Sequence, residues 1–188
     1  MKNILYTIIL LLLSTNLLAD ATQGEMFGLK IGDQYPVNES DVMQPGLLSY
    51  NGDNCCNVDS SRFQVLVTDP KKPKHYGKIF VELTTMSYSI AKIHSVTCFD
   101  TKEKAKIFFR EQKRIFDALY PIESNVLVLN RGLDFNNDSK DYQINIFQDI
   151  TCVHTYLKPN YGYNSSLWHQ EAKEYEQYII KNSDTEGL

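Results

Sequence analysis

The chain has 188 residues, 43% of them hydrophobic, and 19 basic against 23 acidic side chains give a formal net charge of −4. That balance argues against a protein that works through a basic face on nucleic acid or an anionic membrane surface. The length is that of one domain and suffices to bury a core without depending on disulfides.

The first residues, Met1-Lys2-Asn3, are cationic. Residues 4–13 are almost continuous hydrocarbon, and Leu17-Leu18-Ala19 and Ala19-Asp20-Ala21 offer small-residue cleavage sites. This pattern predicts a secretory signal peptide over residues 1–19 and a single secreted α+β domain over 20–188. The apolar run is shorter than the ~20 residues of a spanning helix, so no stable membrane span is expected after cleavage. No Cys follows the run directly, which argues against a lipid anchor. The expected location is the periplasm or the cell exterior. Loss of Lys2 leaves 18 basic against 23 acidic residues, a formal charge of −5.

Along the mature chain, residues 25–33 (EMFGLKIGD) are a short apolar piece punctuated by Gly28 and Gly32, and Pro45-Gly46 marks a turn. Residues 51–61 are polar and read as a loop, and 63–68 as a strand. Residues 78–85 alternate, with Ile79, Val81 and Leu83 on one side, which is a strand period. Residues 88–98 are strand-like too, but Ile90, Ile93 and Val96 are spaced by three, so a bulge is expected near Ala91 and Lys92.

Asp100 with Glu103 three residues on reads as a helix N-cap with a capping-box partner. Ala105, Phe108, Gln112, Ile115, Phe116 and Leu119 then form one helical stripe, and Pro121 ends it. Residues 125–130 predict a strand and 131–141 a loop tip. Residues 142–157 predict one long strand, bent near Gln148 and Asp149. In its first half Tyr142, Ile144 and Ile146 share a side; in its second, Cys152, His154 and Tyr156 do. A second helix is expected from Ser165 or Ser166 to about Lys181, its stripe made by Trp168, Ala172, Tyr175 and Ile179. The fold class is therefore α+β: a two-layer sandwich of a mainly antiparallel sheet with two helices packed on it, in ββα–ββα order.

Phe27-Gly28-Leu29-Lys30-Ile31-Gly32-Asp33 after a signal peptide resembles the start of small, largely uncharacterised secreted bacterial proteins with an FGLK-x-G mature terminus. Ile90 and Ile93 in a strand pair, Cys98 at its end and a helix closing on Ala118-Leu119-Tyr120 fit the same pattern. Where many of those proteins continue with Gly-Lys-Pro, this chain has Pro121-Ile122-Glu123. The resemblance implies a secreted α+β domain and carries no catalytic residues.

Four cysteines, Cys55, Cys56, Cys98 and Cys152, allow three pairings in an oxidising compartment. A bond between the adjacent Cys55 and Cys56 is geometrically awkward, so the expectation is that they divide between Cys98 and Cys152. Asp134, Asn136 and Asp138 have the first spacings of a calcium loop, but Ser139 and Asn145 stand where Gly and Glu belong. A solvated hairpin tip explains them as well.

His94 with Cys98, and Cys152 with His154, share strand faces and would converge on zinc if their strands were neighbours. Four residues of extended strand, however, separate the first two by ~13 Å. No G-x-S-x-G, H-E-x-x-H or P-loop is present, and no cofactor is implied. The aromatic group Tyr156, Tyr161 and Tyr163 is the candidate binding surface, against the alternative of filling between the last strand and helix. These features lead to the expectation of a non-enzymatic binding module for a protein or envelope component. The alternatives are an envelope hydrolase using Asp or Glu, and a secreted inhibitor or effector acting through loop 131–141.

Overall fold

A computed structural model describes residues 23–37, 62–68, 74–120, 126–130, 141–160 and 165–183. Its strands are β1 (Glu25–Met26), β2 (Leu29–Lys30), β3 (Arg62–Leu66), β4 (Lys78–Thr84), β5 (Ile90–Cys98), β6 (Val126–Asn130), β7 (Tyr142–Asp149) and β8 (Cys152–Pro159). Its helices are α1 (Lys102–Leu119) and α2 (Ser165–Ser183). β3 to β8 form one sheet in the spatial order β3-β4-β5-β8-β7-β6. All neighbours are antiparallel except β6 and β7. The fold is α+β, in agreement with the composition of its segments.

The period-2 pattern of β4 explains its two faces. Ile79, Val81 and Leu83 belong to the main core with Phe63, Ile93, Ile144 and Leu157, whereas Phe80 lies in a separate cluster with Val96 on the opposite face. The three-residue spacing of Ile90 and Ile93 is accommodated by a bulge. Leu83 faces Ile90 but Glu82 faces Lys92, which leaves Ala91 as the extra residue and turns both isoleucines to the core.

Helix α1 buries Ala105, Phe108, Gln112 and Phe116, and it lies over β6, β7 and β8, the strands that follow it. Gln112 is tolerated in the core because the buried Tyr76 hydroxyl donates to its Oε1. The N-cap is Thr101, not Asp100. Thr101 has extended backbone and its Oγ1 accepts the Lys104 N–H, while Asp100 makes an exposed ion pair with Lys104 Nζ at 2.7 Å. Both residues are good caps in isolation, and the path from β5 decides between them.

Two further expectations are corrected. Residues 142–157 are not one bent strand but a tight hairpin, β7 and β8, turning at Ile150 and Thr151 with Asp149 opposite Cys152. Both turn residues are β-branched, so no local turn signal separates them from strand. The predicted α2 stripe is met only at Tyr175. Ala172 and Ile179 are exposed, and the half-buried side is Glu171, Glu174, Tyr175 and Tyr178; the Trp168 side chain lies outside the described residues. Tyr178 meets the Phe63 ring edge-on at 5.8 Å, but polar groups supply the other named contacts. Glu171 accepts from Arg62 on β3, and Glu174 accepts from the backbone and hydroxyl of Ser87 in the β4–β5 turn. Helix α1 therefore covers strands of the second half, and α2 docks on strands of the first.

The FGLK piece has a structural explanation. Phe27 and Gly28 both take positive φ (58° and 73°), the backbone of a two-residue primed turn joining β1 to β2. The hairpin inserts Met26 and Phe27 into the core, with Phe27 edge-on to Tyr76 at 4.9 Å. Gly24, also at positive φ, leaves room for the Tyr142 ring, which a Cβ would meet at 2.5 Å.

Candidate functional site

The sheet face opposite α1 carries a cluster of buried titratable groups, among them both imidazoles of the sheet. Alternation in β5 and β8 projects Lys92, His94, Cys98, Cys152, His154 and Tyr156 to that face. The antiparallel register pairs Cys98 with Cys152 and His94 with Tyr156. The two cysteines are bonded to one another, their Cα atoms 4.0 Å apart. The expectation that Cys98 and Cys152 would each take one of Cys55 and Cys56 is thus overturned. Directly opposed positions on adjacent strands bring two sulfurs together, and that register is invisible before the strand order is known. Cys55 and Cys56 lie outside the described residues.

Beside the disulfide runs a stack of rings. His94 lies 4.0 Å from Tyr156 and 6.0 Å from Phe80, and His154 lies 4.6 Å from Phe147, between centroids. His94 Nε2 and His154 Nδ1 are 3.2 Å apart, so one ring donates to the other. His94 is fully buried and His154 is 4% exposed. Lys92 Nζ sits 4.3 Å above the Tyr156 ring and 2.6 Å from Glu82 Oε1. Glu82 Oε2 accepts from Arg62 at 3.0 Å, and Arg62 in turn reaches Glu171 at 2.6 Å. A continuous line of paired charges and rings thus crosses the sheet from α2 to β7.

Burial lowers the basicity of both imidazoles. For His94, desolvation comes first, then the Lys92 charge and His154. For His154, desolvation outweighs the opposing pull of Asp149, and Lys92 adds to it. The unfolded chain therefore takes up protons from about pH 6.5 downward while the fold resists them. Stability is full above that value and is lost on acidification towards the lower folded-state values.

Glu174 extends the loss to lower pH. Burial pushes its carboxyl up, but the Ser87 N–H and the hydroxyls of Thr84 and Ser87 hold it net below its usual value of 4.5. The urea midpoint is expected to fall between about pH 7 and about pH 5, and the fall should flatten in His94→Phe/His154→Gln. A midpoint constant across that window in the parent protein would refute the neutral pair.

Of the predicted site residues, Tyr156 is half-buried in this stack, and Tyr161 and Tyr163 lie outside the described residues, as do Asp134, Asn136 and Asp138. β5 and β8 are neighbours, the condition under which His94, Cys98, Cys152 and His154 would converge. The histidines do converge, but the cysteines are bonded to each other. Among the described residues no group of three or more His, Cys, Asp or Glu is placed to hold a metal. The histidine contact could be anticipated only by assuming an antiparallel β5–β8 pair, since the two rings are 60 residues apart.

Two solvent-facing features stand apart from this face. An open groove of about 370 Å³ runs between the Phe27 hairpin and the end of β3, with Leu29, Val67 and Ile90 as apolar lining and Lys30 and Asp33 at its rim. At the other end of β5, the β7–β8 turn exposes Ile150. No protein-family model, curated protein or solved structure matches the chain.

Proposed function

We propose that this chain is an extracytoplasmic, non-enzymatic binding module for a protein or envelope component. The observation that carries the reading is the division of its chemistry. The imidazole pair and Glu82 are sealed within the sheet and committed to neighbours, whereas solvent meets a groove and an aliphatic hairpin tip. A binding surface combines apolar area with polar groups that fix orientation; the groove mixes the two in near-equal measure, and the turn adds one exposed aliphatic side chain. The cross-strand disulfide supports an oxidising compartment. No helix among the described residues is long and apolar enough to cross a membrane.

A hydrolase would need two carboxylates converging on open space. Glu82 and Glu171 converge on Arg62 instead. A secreted inhibitor or effector is the form of the same binding function in which a turn enters a partner's cleft.

The test is retention of proteins from the extracytoplasmic fraction of the source cells on the oxidised mature protein, followed by rebinding of the purified candidate. One component that is retained reproducibly and rebinds is the expected result. Retention no greater than that on an unrelated secreted domain would overturn the reading.

A further inference from the structure

We infer that the β7–β8 turn presents Ile150 as a rigid aliphatic anchor for an apolar pocket on a protein partner; the inference rests on the binding-module reading and names its surface. Ile150 is 73% exposed, more than any other large hydrophobic side chain among the described residues. Its φ is +45°, a left-handed conformation that Gly, Asn or Asp adopts readily and a β-branched residue resists. Within the fold the side chain therefore carries strain and earns no packing in return.

The surroundings hold it there. Gln148 Nε2 donates to the Ile150 carbonyl at 2.9 Å and to the Lys102 carbonyl at 3.3 Å. The Phe99 N–H donates to the Thr151 carbonyl at 2.9 Å, and the Cys98–Cys152 disulfide fastens the next residue to β5. Strain that neighbouring bonds maintain at an exposed position is a sign of use. An anchor whose backbone is already fixed loses less entropy when a pocket closes on it.

The occupant is a protein rather than a lipid surface. Charges in the adjoining segments are of both signs, with Asp100 paired to Lys104 at 2.7 Å and Lys102 and Asp149 nearby in the chain. They form no basic field for anionic headgroups, and one aliphatic side chain is too small an anchor for a bilayer.

The test places a photo-crosslinking residue at Lys102, beside the turn, and in a second protein at Ile179 on α2, each exposed to the extracytoplasmic fraction. The expected result is a discrete adduct from position 102 that Ile150→Gly abolishes, while Ile150→Gly itself raises the melting temperature by about 2–4 °C through relief of strain. An adduct from 102 that survives Ile150→Gly, or a variant no more stable than the parent, overturns the inference. An adduct from 179 alone overturns it too but leaves a protein partner standing. No adduct from either position, together with nothing retained in the capture experiment, removes both. A dimer-mass adduct, or flotation with phosphatidylglycerol vesicles that Ile150→Gly abolishes, replaces the protein partner by a second copy or a lipid surface and likewise overturns it.

Discussion

Arg62→Met is expected to destabilise the fold by about 3–5 kcal/mol, the usual consequence of removing one partner from a buried charge pair. The Glu82 side chain is 1% exposed and that of Arg62 8%, so neither charge can turn to water when the other is lost. Lys92 would remain beside Glu82, but it approaches the other carboxylate oxygen. The same substitution strips Glu171 of its Arg62 contact and so loosens α2, whose described contacts include Glu171 and Glu174 beside Tyr178. Two readouts follow. The urea midpoint should fall, and hydrogen exchange in α2 should quicken more than in α1. Arg62→Met combined with Lys92→Met, Glu82→Gln and Glu171→Gln should recover much of the loss, since a network removed whole, Lys92 included, leaves no orphaned charge. A single-variant loss under about 1 kcal/mol would show that the network behaves as an exposed one.

Opening the Cys98–Cys152 bond should be the second large effect. The cysteines are 54 residues apart in sequence. Closing a loop of that length removes enough freedom from the unfolded chain to stabilise the fold by about 4 kcal/mol on the chain-entropy model. For a chain of this size that corresponds to a melting temperature about 8–16 °C lower in Cys98→Ser/Cys152→Ser. Because adjacent-strand backbone bonds remain on either side of the pair, the variant should keep its sheet by circular dichroism. Peptide mapping without reduction should recover the 98 and 152 peptides as one species. Recovery of either peptide linked to the one that holds Cys55 and Cys56 would refute the pairing.

Much of the fold is legible along the chain because it is locally encoded. Period-2 alternation in β4 needs only the residues of β4, and the stripe of α1 with Pro121 behind it needs only about twenty consecutive positions. Even the bulge at Ala91 is readable, since Ile90 and Ile93 cannot share a face of a regular strand. The misses have one physical origin. In α2 the apolar residues suggested one buried side, but Arg62 and the Ser87 turn, far away in sequence, bind its glutamates and draw Glu171 and Glu174 inward beside Tyr175, leaving Ala172 and Ile179 exposed. At Ile150 the local preference is for strand, and the turn exists because Gln148, Phe99 and the disulfide impose it.

The sequence by itself determined strands β3 to β6, both helices and the α+β class, together with an expectation of export, because these depend on composition and short-range periodicity. Only the tertiary structure decided which cysteines bond, that His94 and His154 share a proton-bearing contact, and that Glu82 is enclosed by two cations. Each of those depends on the pairing of β5 with its neighbours. Such register is set by the burial of whole faces across the sheet, a non-local condition that no single segment carries.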